Sequence, residues 1–364
     1  MRIAVLGVGL IGGSIGLAAR RRLHAEVVGF DPDQSNLASA LKLETIDRTA
    51  GSVADAVADA ELVFCAAPVR ALGDLIAAAL DASGADTAVT DVGSTKRELM
   101  AAVAGHTAAS RYVGGHPLAG AETAGVANAR DDLFDGARWY LTPEPGCDGL
   151  LYDRVQRVVA DLGARPQALD AEAHDRMMAT VSHLPHVIAN VLVAQAATAL
   201  GEDAERLPEV GPSFRDTTRV AGANPAIWTD IFTANGDAVA TEIDHVVERL
   251  GAAAALIREG NPASIAAWQR QAGESRRALV QSKLGAGALR EVRLSVSNKP
   301  GTVAEIALAL GRAGVNIEDM ALYPAQDMRT GAISLWVAGD QAAQQAARVA
   351  GDLGHTVTLV GAQS

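Results

Sequence analysis

Arg2-Ile3-Ala4-Val5-Leu6-Gly7-Val8-Gly9-Leu10-Ile11-Gly12 opens the chain, and the fold is decided there. Arg2 to Leu6 is a short apolar, partly β-branched run, the pattern of a strand buried on both faces, and it passes directly into G-x-G-x-x-G. Gly7 permits the tight turn, Gly9 lets backbone approach a pyrophosphate, and Gly12 lets the next helix pack closely on the sheet. Leu10 and Ile11 begin that helix, whose N-terminal N–H groups and dipole favour phosphate. Glu26 to Phe30 reads as a second strand ending in Asp31, placed to take ribose hydroxyls. A carboxylate there opposes a 2′-phosphate, so the expected cofactor is NAD rather than NADP, unless Arg48 or Arg70 compensates.

Strand and helix signals continue to alternate. Leu62 to Ala66, Ala88 to Asp91 and Arg111 to Gly114 are further strands of a doubly wound Rossmann-type α/β sheet, each delivering a loop to the carboxyl edge. These loops hold Pro68, then Ser94, then His116. Beyond Asp170 strand signals stop and Ala- and Leu-rich helical runs continue to about Gly285. Few charges break Val187 to Leu200, so that helix is expected to be buried all round, in its own domain or in a dimer core, the latter preferred. Gly285-Ala286-Gly287-Ala288 reads as a linker, followed by a β-α-β-β-α-β order. The expected domains are residues 1–169 (nucleotide-binding), 170–285 (all-helical, substrate and dimerisation) and 289–364 (small α+β).

The 364 residues exceed one ordinary core, since domains hold roughly 100–200 residues. A formal charge of −12 and a pI near 5.1 give no broad attraction to nucleic acid or anionic lipid. Cys65 and Cys147 lack any metal-ligand or disulfide spacing, so no metal is expected and the compartment reads as reducing, hence cytoplasmic. Ile3 to Ala19 is apolar but broken by five glycines and Ser14, unlike a signal or anchor, and no other stretch is expected to span a bilayer.

Three imidazoles stand out. His116 follows Gly114-Gly115 and precedes Pro117, in a loop suited to holding a base beside a nicotinamide. His183 and His186 stand three apart on one helix face, with Pro185 between them expected to kink the helix. The bland alternative is a pair of surface histidines. Phe214-Arg215-Asp216-Thr217-Thr218-Arg219 offers guanidinium forks for an organic carboxylate, although one arginine can simply pair with Asp216.

These strings together resemble the prephenate dehydrogenase family, which includes arogenate and cyclohexadienyl dehydrogenases. The resemblance rests on Gly7-Val8-Gly9-Leu10-Ile11-Gly12-Gly13-Ser14, Asp91-Val92-Gly93-Ser94-Thr95-Lys96, Gly115-His116-Pro117-Leu118-Ala119-Gly120-Ala121-Glu122, Ser182-His183-Leu184-Pro185-His186 and the Phe214 to Arg219 string, and it covers essentially the whole chain. Met1 leads straight into the first strand, so no preceding chorismate mutase segment is expected. The resemblance implies NAD-dependent oxidative decarboxylation of a cyclohexadienol. His116 is then the base and Ser94 orients the hydroxyl. Arg219 clamps a carboxylate, and His186, His183, Glu122, Trp228 and Arg215 complete the pocket.

The C-terminal part resembles the ACT domain, an amino-acid-binding regulatory module. That resemblance implies tyrosine as effector, bound near Asn298, Pro300, Gly301, Asn316 and Ile317, with a purely structural appendage as the alternative. Two other readings stand beside the main one. A 3-hydroxyacid or imino-acid oxidoreductase shares the layout without explaining the histidine pair, and a non-catalytic sensor of NAD and an amino acid predicts no turnover.

Overall fold

The computed structural model describes residues 1–120, 123–200, 210–281, 289–297, 299, 301–317, 319–325 and 330–360. The chain divides into two compact units, Met1–Leu250 and Gly251–Ser364.

The first unit holds strands β1 (Arg2–Leu6), β2 (Glu26–Phe30), β3 (Arg48–Thr49), β4 (Leu62–Cys65), β5 (Ala88–Asp91), β6 (Tyr112–Pro117), β7 (Arg138–Thr142) and β8 (Arg165–Ala168). They form one sheet in the order β3-β2-β1-β4-β5-β6-β7-β8. Every neighbouring pair is parallel except β6 with β7. Helices α1 (Leu10–Leu23), α2 (Gln34–Lys42), α3 (Val53–Val57), α4 (Val69–Ala82), α5 (Arg97–Val103) and α6 (Gly149–Asp161) connect them.

Strand period two divides the core between the two sheet faces. Ile3 and Val5 pack with Ile15 and Val155 in one cluster, while Ala4 and Leu6 pack with Leu72 and Ile76 in the other. The order reverses between β1 and β4, the switch point at whose carboxyl edge ligands bind in doubly wound sheets. Gly7 sits there with φ +103, and a Cβ on it would lie 2.3 Å from the Ala66 carbonyl oxygen. Only glycine lets the two loops at the switch point meet.

Asp170 caps α7 (Ala171–Met178), its side chain accepting from the Ala173 amide at 2.9 Å, so the helical portion begins where the strand signals stop. A π-helical segment, Ala179–His183, joins α7 to α8 (Leu184–Leu200). The π-helical segment thus lies immediately before Pro185, the position at which the sequence predicts a kink. Then come α9 (Pro212–Thr218), a 3-10 turn over Arg219–Gly222, α10 (Pro225–Ala234) and α11 (Gly236–Glu259). Helix α7 packs on α5, α10 on α4, and α8 on the 3-10 turn.

Two expectations are corrected. In this single chain α8 is largely exposed from Asn190 to Ala199, with Val191 at 57%, so it is not buried in its own domain. The continuous helical run Ala171–Ala199, 29 residues, is also long and apolar enough to cross a bilayer by length and composition alone. Its first turns carry His174 and Asp175, both buried, ahead of the stretch from Leu184 to Leu200, which has no Asp, Glu, Lys or Arg.

The second unit contains α12 (Pro262–Gln281), β9 (Leu289–Ser297), α13 (Thr302–Arg312), β10 (Asp319–Pro324), β11 (Thr330–Ala338), α14 (Gly339–Asp352) and β12 (Thr356–Val360). Its strands form an antiparallel sheet, β10-β11-β9-β12, with α14 against β9 and β11 and α13 beside α14. Val292, Leu294, Ile333 and Leu335 alternate inward against Ile306, Leu310 and Ala346. The β-α-β-β-α-β order is thus as expected, although Val315–Ile317 precedes β10 rather than belonging to it. The expected linker, residues 285–288, lies outside the described residues.

Candidate active site

The C-terminal ends of β1, β4, β5 and β6 share one edge of the sheet. The glycine loop, Pro68, Ser94 and His116 are therefore gathered by topology alone. Gly9, at the N-cap of α1, has no side-chain cap, and a Cβ placed there would meet nothing within 4 Å. A bare helix N-terminus beside open space is a cradle for an anion. Leu10 and Ile11 are half-buried at its start, and Pro68 is exposed at the N-cap of α4. Asp31 ends β2 buried; one of its oxygens accepts from the Val8 amide at 2.9 Å and the other from the Asp33 amide at 2.9 Å. The Asn36 side-chain amide also donates, at 3.4 Å, to the oxygen that takes Asp33, so the oxygen facing Val8 is the one that keeps a lone pair for a ribose hydroxyl while the carboxylate holds the glycine loop. Arg48 is paired with Asp55 at 3.4 Å and Arg70 with Asp230 at 4.0 Å.

His116 is not in a loop, as expected from sequence, but within β6, opposite Tyr140 of β7. The preceding glycines explain why the strand carries it that far. A Cβ on Gly115 would lie 2.4 Å from the Asp91 carbonyl oxygen and 2.8 Å from the Thr90 hydroxyl. Beneath it, Asp91 is completely buried and saturated with donors. The Tyr112 hydroxyl and Gly115 amide donate to one oxygen at 2.8 Å each; the Gly93 amide, also at 2.8 Å, and the Lys96 ammonium donate to the other. Burial lowers the Lys96 ammonium below the usual lysine range, with Asp91 pulling the other way.

The His116 ring is nine-tenths buried, its Nδ1 2.9 Å from His174 Nε2, and His174 Nδ1 lies 2.8 Å from an Asp175 carboxylate oxygen. Asp175 also accepts from the amides of Lys96 and Arg97, each at 2.8 Å. Burial alone would raise Asp175, but hydrogen bonds from His174, Arg97 and Lys96 leave it below the usual carboxylate range. Burial holds His116 well below the ordinary imidazole range, reinforced by His174, Lys96 and His183. His116 is therefore neutral at physiological pH and able to take a proton.

His183 is buried in the π segment, where the Asn235 amide nitrogen lies 3.2 Å from its Nδ1 and also donates to the Asp175 carbonyl at 2.8 Å. Burial pushes His183 down to about 4. His186 stacks on Trp228 with ring centres 3.6 Å apart and planes 9° from parallel, and Phe232 flanks both rings. Its Nδ1 is buried without a hydrogen-bond partner among the described residues. Arg219, in the 3-10 turn, belongs to the segment packed on α8; Arg215 is exposed on α9. Ser94 lies half-buried between β5 and α5, and Glu122 is outside the described residues. In the second unit, Gly301 has φ +89 at the N-cap of α13, Asn316 is exposed and Ile317 half-buried, while Asn298 and Pro300 are outside the described residues.

Sequence reasoning missed His174, Asp175, Asn235 and Lys96. Lys96 had left a signal: it is one of only four lysines among thirty-one basic residues, five positions after an acidic strand end. Comparison with known proteins bears on the family. A family model described as "Prephenate dehydrogenase, nucleotide-binding domain" matches residues 15–167, and one described as "Prephenate dehydrogenase, dimerization domain" matches residues 170–271. A prephenate dehydrogenase of Bacillus subtilis (strain 168) is 30% identical over 332 residues, 89% of each chain. The crystal structure of prephenate dehydrogenase from A. aeolicus, in complex with hydroxyphenyl propionate and NAD+, is 30% identical with TM-score 0.70, covering 77% of this chain and 98% of that one. Synechocystis arogenate dehydrogenase is 26% identical with TM-score 0.67, covering 77% of this chain and all of that one. A buried imidazole at the carboxyl edge of a nucleotide fold, an aromatic-backed histidine on the adjoining helices, and relatives matched along nearly their full length lead to one conclusion: the chain belongs to the prephenate dehydrogenase family.

Proposed function

We propose that the chain is an NAD-dependent prephenate dehydrogenase, converting prephenate to 4-hydroxyphenylpyruvate and carbon dioxide. The observation that carries this reading is His116, neutral and buried, at the sheet edge that also presents the glycine cradle and the Ser94 loop. Gly7, Gly9, Gly12, the start of α1 and Asp31 would hold the dinucleotide, and the carboxylate favours NAD over NADP. NAD, when bound, supplies the acceptor for the hydride that leaves the ring C4 carbon.

The residues of the chain manage one proton and the substrate's carboxylates. The C4 hydroxyl O–H bond breaks and its proton passes to His116, a role typically worth about 10²–10⁴ in rate. Ser94 hydrogen-bonds the same oxygen and orients it. The ring carboxylate departs as carbon dioxide, and the electron pair of the broken C–C bond aromatises the ring, leaving a phenolate oxygen that takes the proton back from His116. Arg219 clamps a carboxylate. The unpartnered Nδ1 of His186, fixed by stacking on Trp228, supports a polar contact from that wall, with His183 also against Trp228; Glu122 and Arg215 keep the substrate-contact roles that the resemblance implies. The test is NADH formation from NAD with prephenate, run beside arogenate. NADH from prephenate supports the reading, arogenate alone gives the specificity to the amine, and neither supports only a sensor.

We further assign the domains as 1–169, 170–285 and 289–364, and place the enzyme in the cytoplasm, as its two unpaired cysteines suit. Exposure of α8 within a segment matched by a dimerisation-domain model supports a homodimer. The β-α-β-β-α-β order and the positive φ of Gly301 support an ACT-like module that binds tyrosine around Gly301, Asn316 and Ile317.

A further inference from the structure

We propose that His174 and Asp175 act as positioning residues that fix the polarity of His116, keeping its proton on Nδ1 and its lone pair on Nε2. The inference rests on His116 being the base and adds the reason it presents one particular nitrogen. The argument runs along the hydrogen bonds. The Asp175 carboxylate only accepts, and already takes the Lys96 and Arg97 amides. The His174 Nδ1 facing it at 2.8 Å must therefore carry a hydrogen. In the proposed arrangement the His174 ring carries that single hydrogen, so its Nε2 is left as an acceptor, 2.9 Å from His116 Nδ1. His116 donates there, and its basic nitrogen is Nε2 by elimination.

His174 is fully buried and both of its ring nitrogens are engaged, one by Asp175 and one by His116. When Nε2 takes the hydroxyl proton, the imidazolium that forms keeps donating through Nδ1 toward a carboxylate one ring away. That offsets part of the burial penalty that opposes its charge. The same carboxylate holds the amides of Lys96 and Arg97, so the base and the Ser94 loop are set from one group on α7. No proton leaves along the chain, since the phenolate recovers it.

The test replaces His174 by Leu, which removes both bonds, and by Gln, whose amide N–H and C=O have the spacing and polarity of the neutral ring. H174L is expected to lower kcat by about 10²-fold, the lower end of the general-base range, with KM within threefold, and H174Q to recover at least tenfold of that. Nitrogen-15 NMR of the unsubstituted enzyme at neutral pH should show His116 protonated at Nδ1. An H174L enzyme with near-normal kcat, equal losses in H174L and H174Q, or a His116 protonated at Nε2 overturns the proposal; the NMR result decides if H174L does not fold. Retained turnover in H116N would instead remove the base itself, an outcome distinct from all three.

Discussion

Replacing Asp91 by Asn isolates the buried ion pair beneath His116. Both Asp91 and Lys96 side chains are 0% exposed, so solvent screens neither charge. Asp91 receives four donors, one for each lone-pair site of a carboxylate. An amide in its place keeps one accepting oxygen, turns an N–H pair toward two of those donors, and strands the Lys96 ammonium. Breaking a buried pair from one side costs about 3–5 kcal/mol, against a total of about 5–15 for a domain. K96M should cost less, about 1–3 kcal/mol, because Tyr112, Gly93 and Gly115 still satisfy the carboxylate. The double variant removes both charges and should be more stable than D91N alone, with a coupling of at least about 1.5 kcal/mol. Urea unfolding followed by circular dichroism and tryptophan fluorescence measures each corner of the cycle. If the two losses simply add within about 0.5 kcal/mol, the pair is not what secures the Gly115 amide and the strand end carrying His116.

Other outcomes follow from the same geometry. Arg219→Gln should raise KM for the substrate by about tenfold or more with little change in kcat, as loss of uniform binding does; an unchanged KM removes the clamp. NAD should support a kcat/KM at least about tenfold above NADP because of Asp31, and parity between them contradicts that role. Because burial holds His116 below 6.5, the acid limb of kcat/KM should fall below that pH, and a limb at 7 or higher would show a base that burial does not depress. His183 titrates at about 4 in the fold against 6.5 when free, so between those values the unfolded chain binds a proton that the folded chain refuses. Stability from this group is complete above about pH 6.5 and lost as pH falls toward 4, by up to about 3 kcal/mol. Urea midpoints across that window should decline less steeply in H183N than in the parent, and identical slopes would exclude His183 as the cause.

The features legible from sequence are those fixed by local chain geometry. The glycine loop is readable because positive φ and close approach admit one residue type, and Asp31 because a strand of known length delivers it. The C-terminal unit follows from period-two alternation bounded by turns. By contrast, the sheet extends through β7 and β8, and β8, Arg165-Pro166-Gln167-Ala168, is largely exposed and has no apolar alternation to mark it as a strand. His174, Asp175 and Asn235 enter the site only because α7 packs on α5, and no spacing within the sequence encodes that contact. The glycines before His116 mark the residue but not its setting, since the same pair that suggests a turn also permits a strand to pass tightly over Asp91. Helix α8 carries an apolar composition that one chain does not bury, so its pattern reports a surface rather than a core.

The most direct test of the central claim is the single-turnover rate of His116→Asn at saturating prephenate and NAD, with substrate affinity measured by calorimetry on the same sample. The account predicts a rate reduced by about 10²–10⁴-fold with affinity within threefold. A rate near that of the unsubstituted enzyme would contradict it.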